Sequence, residues 1–587
     1  MLATMKRRGP DQEGTWLTGN GLLVHARLSV IDPENGRQPM TYRNDNSEFA
    51  IVYNGELYNT DELRKELEVL GHRFQTRCDT EVVLHAYLQW KDSCVEKFNG
   101  IFAFAVWDGP AKRLFLARDK MGVKPLFYTV QGSRLIFASE LKTLLAHPDV
   151  PAEIDQNGIA EIMLNGPGRT PGCGVFKGIE EVRPAHCGRF DENGLRLKRY
   201  WKLQPREHIE SFAETAEHVR FLVTDAIRRQ LVSDVPIGTF LSGGLDSSLI
   251  SSVACRILAE EGKRLQTFSV DYRDNERYFK AGKFQPNSDP AFIRQMQDYL
   301  NADHHLVVLD TVQLVDALYD AVEARDLPGM ADVDSSLLLF CRQIKNHVTV
   351  ALSGECADEI FGGYPWYRDP EIRQKNGFPW AQTADWRFSF LKEEFAAGIE
   401  PAAFLQSRYQ ATLDDTDVLP DIPSEEKRMQ QMMRLNLDWF MQTLLDRKDR
   451  MSMYSGLEVR VPFCDWRIAE YLYSVPWAFK DWQGQEKGLL REAMTGWLPD
   501  EVLHRKKSPY PKTHNPAYRR EVAFRLRNVM EDPSSPLLTL VKKSQLETLL
   551  ESDSAVPWYG QLMTAPQTMA YFLQVNHWLK KYRVCIL

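Results

Sequence analysis

One seven-residue segment, SGGLDSS at residues 242–248, constrains this chain more than any other. A short apolar run, VPIGTFL at 235–241, leads into it, and Leu249, Ile250, Val253, Ile257 and Leu258 follow at helical spacing. Strand, glycine loop and helix in that order bring backbone N–H groups, hydroxyls and a helix dipole to one anion-sized space. Further β-rich runs at 267–271, 305–309 and 348–352 lie far enough apart for crossovers, which predicts a parallel sheet with helices on its faces. The loop has neither the GxxxxGK spacing of a Walker motif nor a GxGxxG fingerprint. Its Asp246 would sit awkwardly beside a phosphate without a divalent cation, so charge alone implies Mg2+. A second strand end, LSGECADE at 352–359, carries three acids within five residues. Ligands collect at the carboxyl ends of strands in an open parallel sheet, so Asp246 and Asp358 are expected to share that cation on a pyrophosphate. Taken singly, the two segments also read as a small-residue turn and a solvated helix start.

The remainder of the chain bounds the setting. At 587 residues and 67.6 kDa it is long enough for several domains, and 43% hydrophobic with 26% charged residues is ordinary globular usage. A net charge of −8 argues against nucleic acid as a partner, and no apolar run is long enough for a membrane span. Nine cysteines, an odd number without any CxxC pair, point to neither a disulfide framework nor a zinc site and fit the cytoplasm. The first two hundred residues are strand-rich: apolar stretches at 21–27, 49–53, 101–107, 113–117 and 135–138 alternate with turn signals. Between them, Leu63, Leu67 and Leu70 mark a helix from about residue 61 to 70, stopped by Gly71 and capped by Asn59 with Glu62. A change to polar helical sequence after Leu203 places a boundary there, giving domains 1–203 and 204–587. Beyond residue 370 the sequence reads as helical elaboration of the α/β core.

In combination, SGGLDSS, the LSGECADEIFGGY segment at 352–364 and LEVRVPFCD at 457–465 resemble the glutamine-hydrolysing asparagine synthetases, over nearly the whole chain. The resemblance implies an α/β parallel-sheet domain of the ATP pyrophosphatase type that adenylates the side-chain carboxylate of aspartate and lets ammonia displace AMP. It implies ATP contacts from Leu241, Ser242, Gly243, Gly244, Asp246, Ser247, Val270, Ser353 and Gly354, with Mg2+ on Asp246 and Asp358. Glu355 would act as the base of the ammonia step, and Lys507, in RKKSP at 505–509, would neutralise charge on the α-phosphate. Where the family has glycine, this chain has Cys356, which is expected to narrow the pocket beside Glu355. The polar residues of DRKDRMSM at 446–453 match the family without individual roles.

The amino-terminal half, through RGPD at 8–11, HARLSVI at 25–31, YNGELYN at 53–59 and CDTE at 78–81, resembles a class II glutamine amidotransferase, an α+β sandwich of the Ntn type. That implies glutamine contacts from Arg27, Leu28, Ser29, Val30, Ile31, Asn54, Gly55, Glu56 and Asp79, with Asn54 and Gly55 as the oxyanion hole. The family's nucleophile is an amino-terminal cysteine whose own α-amine is the base. This sequence begins Met1-Leu2, so the nucleophile and first strand are expected to lie outside it. Either the start is assigned too late or the protein is a variant using free ammonium; the many retained pocket residues favour the former. Cys78 has no free α-amine and is no substitute. A β-lactam synthetase-like enzyme and a non-catalytic sensor are the alternatives. Oligomeric state is not legible.

Overall fold

The computed structural model describes residues 1–44, 47–279, 287–552, 556–560 and 562–587. In the first part of the chain the apolar runs become a six-stranded sheet, in spatial order Gly194–Arg199, His186–Asp191, Arg113–Arg118, Gly100–Asp108, Ser47–Leu57 and Met40–Asn44, with every neighbour antiparallel. One face buries Phe49, Ile51, Phe104, Val106 and Phe115 under the helices Thr60–Val69 and Asp79–Trp90. The other buries Ala50, Val52, Ala105 and Leu116 against Trp16, Leu23 and Tyr128 of two smaller sheets. Side chains alternate between the two apolar layers, which is why both faces of Ser47–Leu57 are buried.

The expected helix forms over Thr60–Val69, and Gly71 takes φ +93° at its end, a conformation that favours glycine. Its cap differs from expectation. The Asn59 side chain makes no capping bond; it accepts from the Asn99 N–H at 2.9 Å and donates to Lys97 O at 2.9 Å, competing contacts from a loop distant in sequence.

The sheet's last strand ends at Arg199, and the next helix, Phe212–Gln230, opens with a capping box between Ser211 and Glu214. A five-stranded parallel sheet follows, ordered Ala302–Leu309, Leu265–Tyr272, Ile237–Phe240, Val350–Leu352 and Glu458–Arg460. Strand Ile237–Phe240 lies at its centre, so the chain leaves it through residues 241–244 into helix Leu245–Glu260 at the carboxyl edge of the sheet. Residues from about 370 onward are predominantly helical.

The two parts share apolar core. Ile154, Ile159, Met163, Leu164 and Phe176 pack in one cluster with Phe572, Leu573 and Trp578, and strand Cys585–Ile586 pairs with Glu153–Ile154. All nine cysteines are free thiols, and no described helix is long and apolar enough to cross a membrane.

Candidate active sites

At the carboxyl edge of the parallel sheet, a cavity of about 250 Å3 is walled by Leu241, Ser242, Gly244, Asp246, Ser247, Val270, Ser353, Gly354, Glu355, Cys356, Asp358 and Lys507. The two predicted loops do face one another: a Cβ at Gly354 would stand 2.9 Å from Asp246 Cβ, so only glycine allows this approach. Ser247 Oγ accepts the Ser242 N–H at 3.1 Å and sits 2.9 Å from Ser242 Oγ, which folds the glycine loop over the helix start. Gly243 is not on the cavity wall; at φ +68° it packs against Phe292 and Ile293 from behind.

Asp246 and Asp358 are joined by a residue the sequence did not single out. Lys487 Nζ lies 2.5 Å from Asp246 Oδ2 and 2.6 Å from Asp358 Oδ1, and it is 3% exposed. Lys507 also pairs with Asp358. Gly363 makes room for this arrangement, since a Cβ there would run into Asp358 Oδ1 and Lys487 Cε. Burial pushes the Asp358 carboxyl up, but Lys487 and then Lys507 outweigh it and hold it at about 2. For Asp246 burial wins over Lys487, with the Asp358 charge adding to the rise. Asp246 Oδ1 is buried without a hydrogen-bond partner. Two carboxylates with a buried acceptor left open, beside a glycine loop, form a donor set that suits an oxygen-seeking divalent cation.

Glu355 Oε1 lies 2.8 Å from Lys448 Nζ, a lysine over the Phe240 ring on helix Met441–Met453. Burial raises the Glu355 carboxyl, while Lys448, Ser353 and Arg447 together carry it below its ordinary range. Glu355 Oε2 has no partner. Cys356, at φ +81° and buried, occupies a left-handed position and lines the cavity. Nothing in the spacing of Lys487 or Lys448 marks them, because a lone lysine in a loop or helix reads as solvated until the fold puts it against an acid.

A second cavity, of about 1180 Å3, lies in the first part of the chain. Arg27, Leu28, Val30, Ile31, Asn54, Gly55, Glu56, Cys78 and Asp79 line it; Ser29 does not, its N–H donating to Asp11 Oδ2 at 2.8 Å. The Arg27 guanidinium donates to neutral acceptors, Ile31 O at 2.7 Å and Gln12 Oε1 at 3.0 Å among them, so its charge is uncompensated by any acid within ion-pair distance among the described residues. Asn54 Nδ2 is buried with no partner, a donor available to an incoming oxyanion. Burial pushes the Cys78 thiol to about 12, which leaves it a poor nucleophile.

Met453 and Glu458, from the second part of the chain, line this same cavity. Beside it, Arg460 lies 3.2 Å from Glu56 and donates to Glu458 at 2.8 Å, while its carbonyl accepts the Ser353 N–H at 2.9 Å. Burial, and then the Glu458 charge, raise the Glu56 carboxyl well above its ordinary range against the pull of Arg460.

The family model for asparagine synthase matches residues 218–580, about three fifths of the chain. The chain belongs to the asparagine synthase family. A glutamine amidotransferase domain model matches residues 1–201 of it. Among similar proteins, glutamine-hydrolyzing asparagine synthetase 3 of Bacillus subtilis (strain 168) is 49% identical over 592 residues, covering 100% of this chain and 96% of that protein. Asparagine synthetase 1 of the same organism is 30% identical across 93% of this chain and 88% of its own length. The amidase chry2 of Gibberella zeae is 28% identical across 87% of this chain and 84% of that protein. An asparagine synthase family member with an amidotransferase-type first part accounts for both the parallel sheet and the sandwich.

Proposed function

We propose that this chain makes asparagine from aspartate, ATP and a nitrogen donor, glutamine or free ammonium. The side-chain carboxylate of aspartate attacks the α-phosphorus of ATP, pyrophosphate departs, and ammonia then attacks the carbonyl of β-aspartyl-AMP and releases AMP. The observation that carries the reading is the juxtaposition of Asp246, Asp358, Lys487 and Lys507 with the glycine loop at the carboxyl edge of the sheet.

In this reading the N–H groups and hydroxyls of residues 242–248 hold pyrophosphate, and Leu241, Val270, Ser353 and Gly354 surround adenosine. Asp246 and Asp358 would hold Mg2+, which when bound supplies positive charge to the leaving pyrophosphate. Lys507 stabilises charge growing on the α-phosphate, and Lys487 keeps both carboxylates in register. Glu355 Oε2, the open oxygen of an ionised carboxyl, takes a proton from the attacking nitrogen. In the first part, Arg27 binds the glutamine α-carboxylate, Glu56 and Asp79 its ammonium, and Asn54 with Gly55 the oxyanion. Residues 1–203 and 204–587 are the two working units, and nine free thiols support a cytoplasmic location.

The test is asparagine formation by the purified chain with ATP, Mg2+ and aspartate, comparing ammonium with glutamine. Product from ammonium supports the synthetase assignment; no product from either donor removes it. A Glu355→Ala chain that worked at the parent rate would remove the base.

A further inference from the structure

Four cations line the cavity at the sheet edge: Arg447, Lys448, Arg505 and Lys507. Three of them already face an acid. Lys448 pairs with Glu355 at 2.8 Å, Arg505 with Asp289, and Lys507 with Asp358. Arg447 is the exception at ion-pair distance; its charge reaches Glu355 and Asp334 only from farther away. It is 4% exposed, and among the described residues it forms no ion pair. Nε has no partner, Nη1 reaches only the thioether of Met330 at 3.9 Å, and the guanidinium carbon stands 5.3 Å from the Tyr510 ring centroid. An unpaired charge out of water is costly, so a buried guanidinium open to a cavity is built for a counter-charge that arrives with a ligand.

We propose that Arg447 binds the α-carboxylate of the amino-acid acceptor and so decides which of its two carboxylates reacts. This rests on the asparagine-forming reading and deepens it. Aspartate has two carboxylates of similar nucleophilicity, and adenylation of one requires that the other be held away from the α-phosphate. The phosphate groups have their own partners in the glycine loop and Lys507. Arg447 instead shares its wall with Met330, Tyr510 and Glu355. Its planar fork matches a carboxylate with two parallel hydrogen bonds, a geometry that lysine does not reproduce. Helix Met441–Met453 holds it rigidly: Asp446 pairs with Arg325 at 3.0 Å, Lys448 with Glu355, and Asp449 with Arg8 at 2.6 Å.

The experiment uses the full chain with Mg2+, ATP and saturating ammonium, and compares aspartate with 3-aminopropanoate, which is aspartate without its α-carboxylate. In Arg447→Met the KM for aspartate should rise ~10- to 150-fold, the loss of a hydrogen-bonded charge pair. The preference for aspartate over 3-aminopropanoate should collapse by the same factor, with Arg447→Lys between the two. The KM for ATP, expected within about threefold of the parent, shows that the variant folds. An aspartate KM within about twofold of the parent overturns the proposal, and so does a rise confined to ATP, which would put Arg447 on phosphate. A parent chain that forms no asparagine removes the functional reading itself, a result distinct from a working parent beside an unaffected variant.

Discussion

Arg8→Met isolates a buried contact between the two parts of the chain. Arg8 grips Asp449 with two hydrogen bonds, of 2.6 and 3.0 Å, and both side chains are buried. Removing the guanidinium leaves Asp449 with Lys124 at 3.4 Å, while Glu140 keeps Lys142 at 2.6 Å and Arg450 at 3.3 Å. Breaking a buried pair costs about 3–5 kcal/mol, and the surviving Lys124 places this case near 3 kcal/mol. The titration of Asp449 sets the pH dependence. Burial raises the Asp449 carboxyl, but Arg8 and then Lys124 bring it from 3.8 to about 2. The depressed folded value means the contribution is present above pH ~4 and is lost as pH falls towards ~2. Urea unfolding followed by tryptophan fluorescence, at neutral pH and at several points below pH 5, should show the parent more stable by roughly 3 kcal/mol, with the gap closing on acidification. A gap under about 1 kcal/mol at neutral pH, or one that widens towards acid, would refute the reasoning.

Lys487→Met leaves Asp246 and Asp358 facing each other with only Lys507 nearby, so the metal-free protein should lose about 3 kcal/mol or more; thermal unfolding with EDTA and with Mg2+ should show the cation restoring part of it. Gly243→Ala forces φ +68° on a residue whose Cβ would lie 2.8 Å from Phe292 Cβ. At about 1–2 kcal/mol for the left-handed backbone, plus the clash, the loop should shift and raise the KM for ATP about tenfold or more, while aspartate KM at saturating ATP changes less. Cys356→Gly relieves the backbone at φ +81° but adds about 0.5–1 kcal/mol of chain entropy and removes a buried thiol. Its melting temperature should stay within a few degrees of the parent; a large drop would mean that the thiol fills a gap that water cannot.

Local pattern carried much of this fold. The runs at 49–53, 101–107 and 113–117 became neighbouring strands, and the loop at 242–248 fell between a central strand and a helix, because alternation and glycine-to-helix transitions are written in adjacent residues. What stayed illegible depends on distant partners. Asn59 has the spacing of a cap yet bonds Asn99 and Lys97, which approach only in the folded chain. The core uniting Ile159 and Phe176 with Trp578 crosses the boundary expected near residue 203, since apolar residues do not record which layer they will join. In DRKDRMSM at 446–453 the sequence assigns no individual roles, but Asp446, Lys448, Asp449 and Arg450 each meet an opposite charge in the fold. Lys487 is the clearest omission, one cation whose meaning comes wholly from two acids contributed by separate loops.

Arg460 touches Glu56 in one cavity, and its carbonyl holds the N–H of Ser353 on the wall of the other. An occupant of the first cavity that displaced Glu56 would act on Arg460 through an ion pair, and Arg460 stands one hydrogen bond from Ser353. Thermodynamics makes that traffic symmetrical: whatever factor a ligand at Glu56 applies to affinity at Ser353, a ligand at Ser353 must return to affinity at Glu56. Coupling along this path would join affinity at the first cavity to affinity at the second in both directions.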